Sequence, residues 1–232
     1  QRELMQTLIH TPGLLTPHYQ AVFHLPQISK DLVDQGRNER SLRPLAHLLY
    51  GFESLIRVRT AATQSALDAS GPSHVEVKYL RPDVLFALSF AAKVGLELDQ
   101  ACLHQAILHS RDLPGTLLVN ILPRNLYNID RLRHLLLDRR NLMFEVSESE
   151  AINNLELMIK VRASLERMHM RIAADDFGRG YSGLEQIIKI KPDLIKLDRS
   201  LITDIHLDGP KQAFVNGLVR AAKIAGSTIL AE

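Results

Sequence analysis

From Tyr50 onward, short runs rich in β-branched residues alternate with longer stretches in which apolar residues recur at three-and-four spacing. The short runs suit buried strands and the long ones suit helices lying on a sheet, so the alternation predicts a parallel α/β fold. Seven strands are expected, centred on Tyr19–Phe23, Gly51–Arg57, Thr116–Ile121, Leu142–Val146, Arg171–Asp175, Asp193–Leu197 and Thr228–Ala231. Helices are expected over Pro82–Val94, Asp99–His109, Leu126–Leu137, Ala151–Met168 and Pro210–Ala225, with Pro82 and Pro210 in a first turn, where proline is tolerated. Residues 24–43 and 59–74 show neither period and read as loops or insertions. Seven βα-like units in one domain over residues 1–232 point to a barrel rather than an open doubly wound sheet. No GxGxxG or GxxxxGK loop follows a strand, which argues against a nucleotide-cofactor fold.

Composition narrows the class without changing that picture. The chain is 46% hydrophobic and 23% charged, with 12 glycines, 10 prolines and a single cysteine, Cys102. Those values exclude a disordered tail, a collagen-like repeat and a disulfide scaffold, and suit a reducing, cytoplasmic setting. Lys and Arg number 28 against 26 Asp and Glu, and with so small an excess spread along the chain neither DNA nor an anionic membrane is an expected partner. The longest apolar stretch, Val84 to Val94, is interrupted by Ser89 and Lys93 and is shorter than the roughly 20 residues of a membrane span. Gln1, Arg2 and Glu3 lead into no signal-like apolar core, so the chain is expected to be a cytoplasmic piece of something longer.

The candidate chemistry lies at the strand ends. Glu53, Asn120, Glu145, the pair Asp175–Asp176, Lys196 and Glu232 each stand at or near the C-terminal end of a different apolar strand. One such residue signifies only a strand reaching water, but six strands repeating the pattern mark the rim on which βα-barrels build their active sites. Period-two alternation puts Glu53, Leu55 and Arg57 on one face, Leu118 with Asn120, Leu194 with Lys196 and Asp198, and Leu230 with Glu232. Asp175 and Asp176 are adjacent and cannot both face inward on a regular strand, so a sharp turn at Gly178 and Gly180 is expected to bring them together.

Brought to one rim, these groups are five carboxylates against the Lys196 ammonium, a set that repels itself unless cations join it. All the donors are hard oxygens and the histidines show no HxxxH or HxH spacing, so Mg²⁺ or Mn²⁺ suits the site better than Zn²⁺. Two divalent ions about 4 Å apart would serve phosphodiester hydrolysis. From the residues alone, the reading is a metal-dependent phosphoryl-transfer or hydrolase barrel with its substrate open.

The segment YGFESLIR, with Glu53-Ser54-Leu55 at its centre, resembles the signature of EAL domains, the bacterial cyclic di-GMP phosphodiesterases. Further landmarks of that family follow in order: VNILP at Val119–Pro123, FEVSESE at Phe144–Glu150, DDFGRGYSGL at Asp175–Leu184, IKLDRSLI at Ile195–Ile202 and LAE at Leu230–Glu232. The likeness runs from about Gln20 to the last residue. It implies a TIM-like (β/α)8 barrel, apparently lacking its last strand and helix in this chain, that hydrolyses cyclic di-GMP to linear pGpG with two divalent metal ions.

Matched position by position, the resemblance implies that Glu53, Asn120, Glu145, Asp175 and Asp176 hold metal. Lys196 would orient the attacking water or steady a phosphate oxygen, and Glu232 would help hold the metal-bound water. Gln20, Leu55, Arg57 and Asp198 would bind substrate, Arg57 through a phosphate and Gln20 along the guanine-phosphate path. Glu148 would brace the loop after the two aspartates. A homodimer and attached sensory or cyclase domains are implied by family analogy.

Several positions depart from the family pattern. Ser54 replaces alanine in the tripeptide, QAV stands for a QPI-like strand at Gln20, Ser147 stands for threonine, and Gly183 replaces a serine. The alternative reading is a catalytically degenerate EAL domain acting as a cyclic di-GMP receptor or a protein-interaction module. A barrel hydrolase for other phosphate esters is a third. Cys102, His104 and His109, on one expected helix, read as packing or surface residues.

Overall fold

The computed structural model of the chain describes residues 2–24, 47–59, 79–136, 141–147, 154–178 and 189–231. Eight strands form one sheet: β1 (Leu15–Phe23), β2 (Leu49–Arg59), β3 (Tyr79–Leu80), β4 (Thr116–Asn120), β5 (Leu142–Ser147), β6 (Arg171–Phe177), β7 (Leu194–Leu197) and β8 (Thr228–Ala231). Its order is β1-β2-β4-β5-β6-β7-β8, with β3 paired to β2 off this path. All pairings from β2 through β8 along that order are parallel, as the alternation implies. β1 departs from that expectation, running antiparallel to β2 with Gln20 opposite Glu53.

The helices are α1 (Arg2–His10), α2 (Pro82–Ala91), α3 (Gly95–His109), α4 (Pro123–Leu126), α5 (Ile129–Leu136), α6 (Leu155–Arg167), α7 (Arg199–Ile202) and α8 (Gly209–Ala225). The helix expected over Leu126–Leu137 is α5, which starts at Ile129, with Leu126 closing the separate α4; neither α1 nor β3 was expected. α8 starts where the pattern puts it because Asp208 accepts from the Lys211 amide and Pro210 needs no partner for an N–H. It stops at Gly226, whose φ of +82° suits a residue without a Cβ. No described helix is long and apolar enough to cross a membrane. The expected loops at 24–43 and 59–74 lie outside the described residues, apart from His24 and Arg59.

Strict alternation divides the apolar side chains into two layers. Leu117, Val119, Leu142, Phe144, Val146 and Ile172 pack with Leu103, Leu126, Leu132, Met158 and Leu165 of the helices. Their neighbours Leu118, Met143, Ala173 and Leu194 form a separate cluster with Tyr50 and Leu230 on the opposite face. Full burial of such a leucine stabilises the fold by about 1.5–3 kcal/mol. At the N-terminal strand ends Arg171 donates to the Tyr50 hydroxyl (3.0 Å) and to Thr116, tying β2, β4 and β6 together. Asn120, Glu145, Asp175 and Lys196 lie toward the opposite, C-terminal ends of their strands, whereas Glu53 is not near the end of β2 as expected, because β2 runs on to Arg59.

Candidate functional site

Lys196, on β7, sits on the inner face with its alternation partner Leu194, and only 1% of it is exposed. An ammonium buried this deeply needs anionic partners. Its Nζ lies 3.2 Å from Glu53 Oε1, 3.0 Å from Glu145 Oε1 and 3.1 Å from Asp175 Oδ1, so one cation joins carboxylates from β2, β5 and β6. Asn120, at the end of β4 and in register with Glu145, donates from Nδ2 to Glu145 Oε2 at 3.3 Å. Four of the residues expected to hold metal, with Lys196, thus meet at one place.

Asp176, the fifth, follows Asp175 in a strand irregularity that precedes the expected glycine turn, of which Gly178 has a φ of +104° and Gly180 lies outside the described residues. Along β6 and β7, Ala174 pairs with Ile195 and Phe177 with Leu197, leaving Asp175 and Asp176 together opposite the single residue Lys196. Two residues facing one is a β-bulge. Asp176 completes it with a φ of +58°, left-handed backbone that aspartate tolerates better than most residues, and donates its amide to Asp175 Oδ1 at 2.9 Å. The strand irregularity therefore lies on the aspartates themselves, before Gly178.

Burial dominates the electrostatics of Glu145. Desolvation pushes its carboxyl up to about 8, with the Glu53 and Asp175 charges adding to the rise and Lys196 opposing it. Lys196 Nζ, 3.0 Å away, is the charged partner of the buried Glu145 Oε1. Among the described residues no three acidic or histidine side chains are already drawn close enough to share an ion. The donor set nevertheless suits Mg²⁺ or Mn²⁺ in kind: hard carboxylate oxygens from three strands, and an excess of negative charge around one ammonium.

The substrate candidates are placed around this cluster. Gln20 and Leu55 line a cavity of about 660 Å³ with Glu53, Tyr50, Leu194 and Leu230, between β1, β2 and β8. Leu55 also borders a second cavity, of about 310 Å³, where Arg57, Asn120, Ser54 and Phe86 meet. Arg57 donates to the Ile56 carbonyl at 2.9 Å. Ser54 is buried and turned from Glu53, as alternation requires. Asp198 accepts from the Ser200 amide at 2.8 Å, capping α7. Glu148 and Glu232 lie outside the described residues. Sequence reasoning overlooked Asp99, a buried carboxylate on α3; its signal is a charge on the same helical stripe as Cys102, Leu103 and Ala106.

Known proteins share this fold. The crystal structure titled Klebsiella pneumoniae BlrP1 calcium/cy-diGMP complex superposes with a TM-score of 0.69 at 29% identity, covering 96% of this chain and half of that one. The FimX EAL domain of Pseudomonas aeruginosa bound to c-di-GMP superposes at 0.71 with 17% identity, covering 98% and 82%, a likeness of fold. Among curated proteins, the blue light- and temperature-regulated antirepressor BluF of Escherichia coli K12 is 23% identical over 186 residues, 76% of this chain and 42% of its own length. The cyclic di-GMP phosphodiesterase PdeR of the same organism is 35% identical over 88 residues, 38% of this chain and 13% of its own length. The chain thus spans less than half the length of these curated relatives. The EAL domain family model matches residues 47–232, from β2, which carries Glu53, to the last residue, and the chain belongs to the EAL domain family.

Proposed function

We propose that the chain hydrolyses cyclic di-GMP to linear pGpG. The observation that carries this reading is the buried Lys196 ammonium within 3.2 Å of carboxylates from three strands. A water oxygen bonds to phosphorus, the bond from phosphorus to the ribose 3′-oxygen breaks, and that oxygen leaves with a proton from the water. Two divalent ions, Mg²⁺ or Mn²⁺, held by Glu53, Asn120, Glu145, Asp175 and Asp176, would make the water more acidic and offset charge on the phosphate. Lys196 orients the water or steadies a phosphate oxygen, and its burial keeps that charge fixed. Arg57 meets a phosphate, Gln20, Leu55 and Asp198 line the substrate path, Glu232 holds the water and Glu148 braces the loop after the aspartates. The setting is bacterial signalling in the cytoplasm, with the chain as a homodimer alongside sensory or cyclase domains.

The test is incubation with cyclic di-GMP and Mg²⁺ or Mn²⁺, following pGpG by chromatography beside Glu53→Ala. Metal-dependent pGpG that disappears in Glu53→Ala and in EDTA supports the enzyme. A receptor or protein-interaction role is the second reading, favoured by the match of 76% of the chain to a protein named an antirepressor. It requires intact substrate, with any nucleotide binding surviving EDTA.

A further inference from the structure

Asp99 is 4% exposed, deep in the layer between the sheet and α3. A carboxylate is retained in such a place only where donors meet it. Its Oδ2 accepts from Asn125 Nδ2 at 2.7 Å and from the Leu122 backbone N–H at 3.0 Å. Asn125 is itself buried, with Nδ2 donating to the Leu96 carbonyl at 3.0 Å and Oδ1 accepting from Gln100 at 2.9 Å. These bonds fasten the turn that leaves β4 onto α3.

That turn begins at Asn120. Beyond it the Ile121 amide donates to the Glu145 carbonyl at 3.2 Å, and the Asn120 side chain meets Glu145 Oε2. The β5 side of Asn120 is therefore set by Glu145, and the chain leaving it is set two residues later by Asp99.

We infer that Asp99 is a positioning residue for Asn120, holding the turn after β4 so that the Asn120 amide stays against Glu145 at the rim. Its relevance to turnover rests on the site reading proposed above, but its effect on Asn120 does not. Partners hydrogen-bonded to a metal ligand alter metal affinity by about 10–100-fold; Asp99 acts one step further out, through the Leu122 amide, so its effect is expected at the low end of that range.

The test compares wild type, Asp99→Asn, Asn120→Ala and the double variant, with Ser227→Ala as a control that loses a buried hydrogen bond elsewhere, to the Pro192 carbonyl. The Asn120 side-chain amide is followed by ¹⁵N NMR in metal-free protein. Its signal moves in Asp99→Asn and stays in Ser227→Ala; an unmoved signal in Asp99→Asn overturns the inference. By Mn²⁺ titration, Asp99→Asn weakens binding on the order of tenfold in the wild-type background and less than about twofold in Asn120→Ala. Equal losses in both backgrounds would make Asp99 merely structural. A wild type that takes up no Mn²⁺ counts against the metal reading while the NMR result still decides Asp99. Should Asp99→Asn fail to fold, hydrogen exchange of wild type decides: the Leu122 amide exchanges at least about tenfold more slowly than the exposed amides, and overturns the inference if it does not.

Discussion

Lys196 Nζ lies 3.0 Å from Glu145 Oε1, and each of these residues is only 1% exposed. Neither charge is held by water, so each depends on the other and on Glu53 and Asp175 beside them. Removing one member of a buried pair costs about 3–5 kcal/mol because the partner stays buried and unpaired. Lys196→Met is therefore expected to lose about that much stability in metal-free protein, by urea unfolding in EDTA at a pH above 8, where Glu145 is ionised. Combining it with Glu145→Gln returns at least about 1 kcal/mol, because the stranded charge is gone. A single-variant loss under about 1 kcal/mol would show that the pair is not buried in solution as it is here.

Glu145 makes metal-free protein pH-sensitive. Burial, followed by the Glu53 and Asp175 charges, raises its carboxyl from 4.5 in the open chain to about 8 in the fold, against the pull of Lys196. A folded value above the unfolded one means that the stabilisation is complete below pH 4.5 and is lost as pH rises through 8. Melting curves of EDTA-stripped wild type and Glu145→Gln should converge or cross over that window, wild type losing stability with pH relative to the variant. A difference between the two that stays constant with pH would refute the assignment.

Gly178 follows the two aspartates with a φ of +104°, and a Cβ there would run into the Leu201 side chain on α7. Gly178→Ala is expected to cost roughly 1–3 kcal/mol through backbone strain and that overlap. Trimming Leu201 to alanine in the same protein relieves the overlap but leaves the strain, so the two changes together cost less than their sum. Additive losses in thermal unfolding would mean that Gly178 and Leu201 do not meet.

Cys102 lines the cavity beside Arg57 and Asn120, yet burial and the neighbouring Asp99 charge raise its thiol far above the ordinary range. The thiolate is the reactive form, so the native protein should react with a disulfide reagent at pH 8 at least about tenfold more slowly than the denatured chain. Equal rates would place Cys102 in water.

Much of this was legible in the sequence because a strand buried on both faces still separates its polar residue by period two. Glu145 stands out between Phe144 and Val146, and the structure places those two outward under the helices while Met143 faces in beside it. Less legible was anything settled by partners distant in sequence. The direction of β1 is fixed by its pairing with β2, and β3 is two residues long, too short for any period to register. The glycine turn is a local signal, and Gly178 does carry a φ of +104°; the bulge on Asp175 and Asp176 ahead of it has no local signal, because it follows from the pairing of Phe177 with Leu197. Asp99 went unnoticed because its donors come from a turn more than twenty residues away.

The doubled position on β6 also acts as a phase shift. Before it, Ala173 joins the inner cluster and Ala174 the outer one; after it, Phe177 packs outside with Ile195, Leu197 and Leu218, where uninterrupted counting would turn its ring inward beside Lys196. Substituting Asp176 and deleting it are thus different experiments. A substitution changes one side chain and keeps the bulge, whereas a deletion removes it: Asp175 alone then faces Lys196 and Phe177 still pairs with Leu197 on the helix side, so the second aspartate is lost while the frame survives.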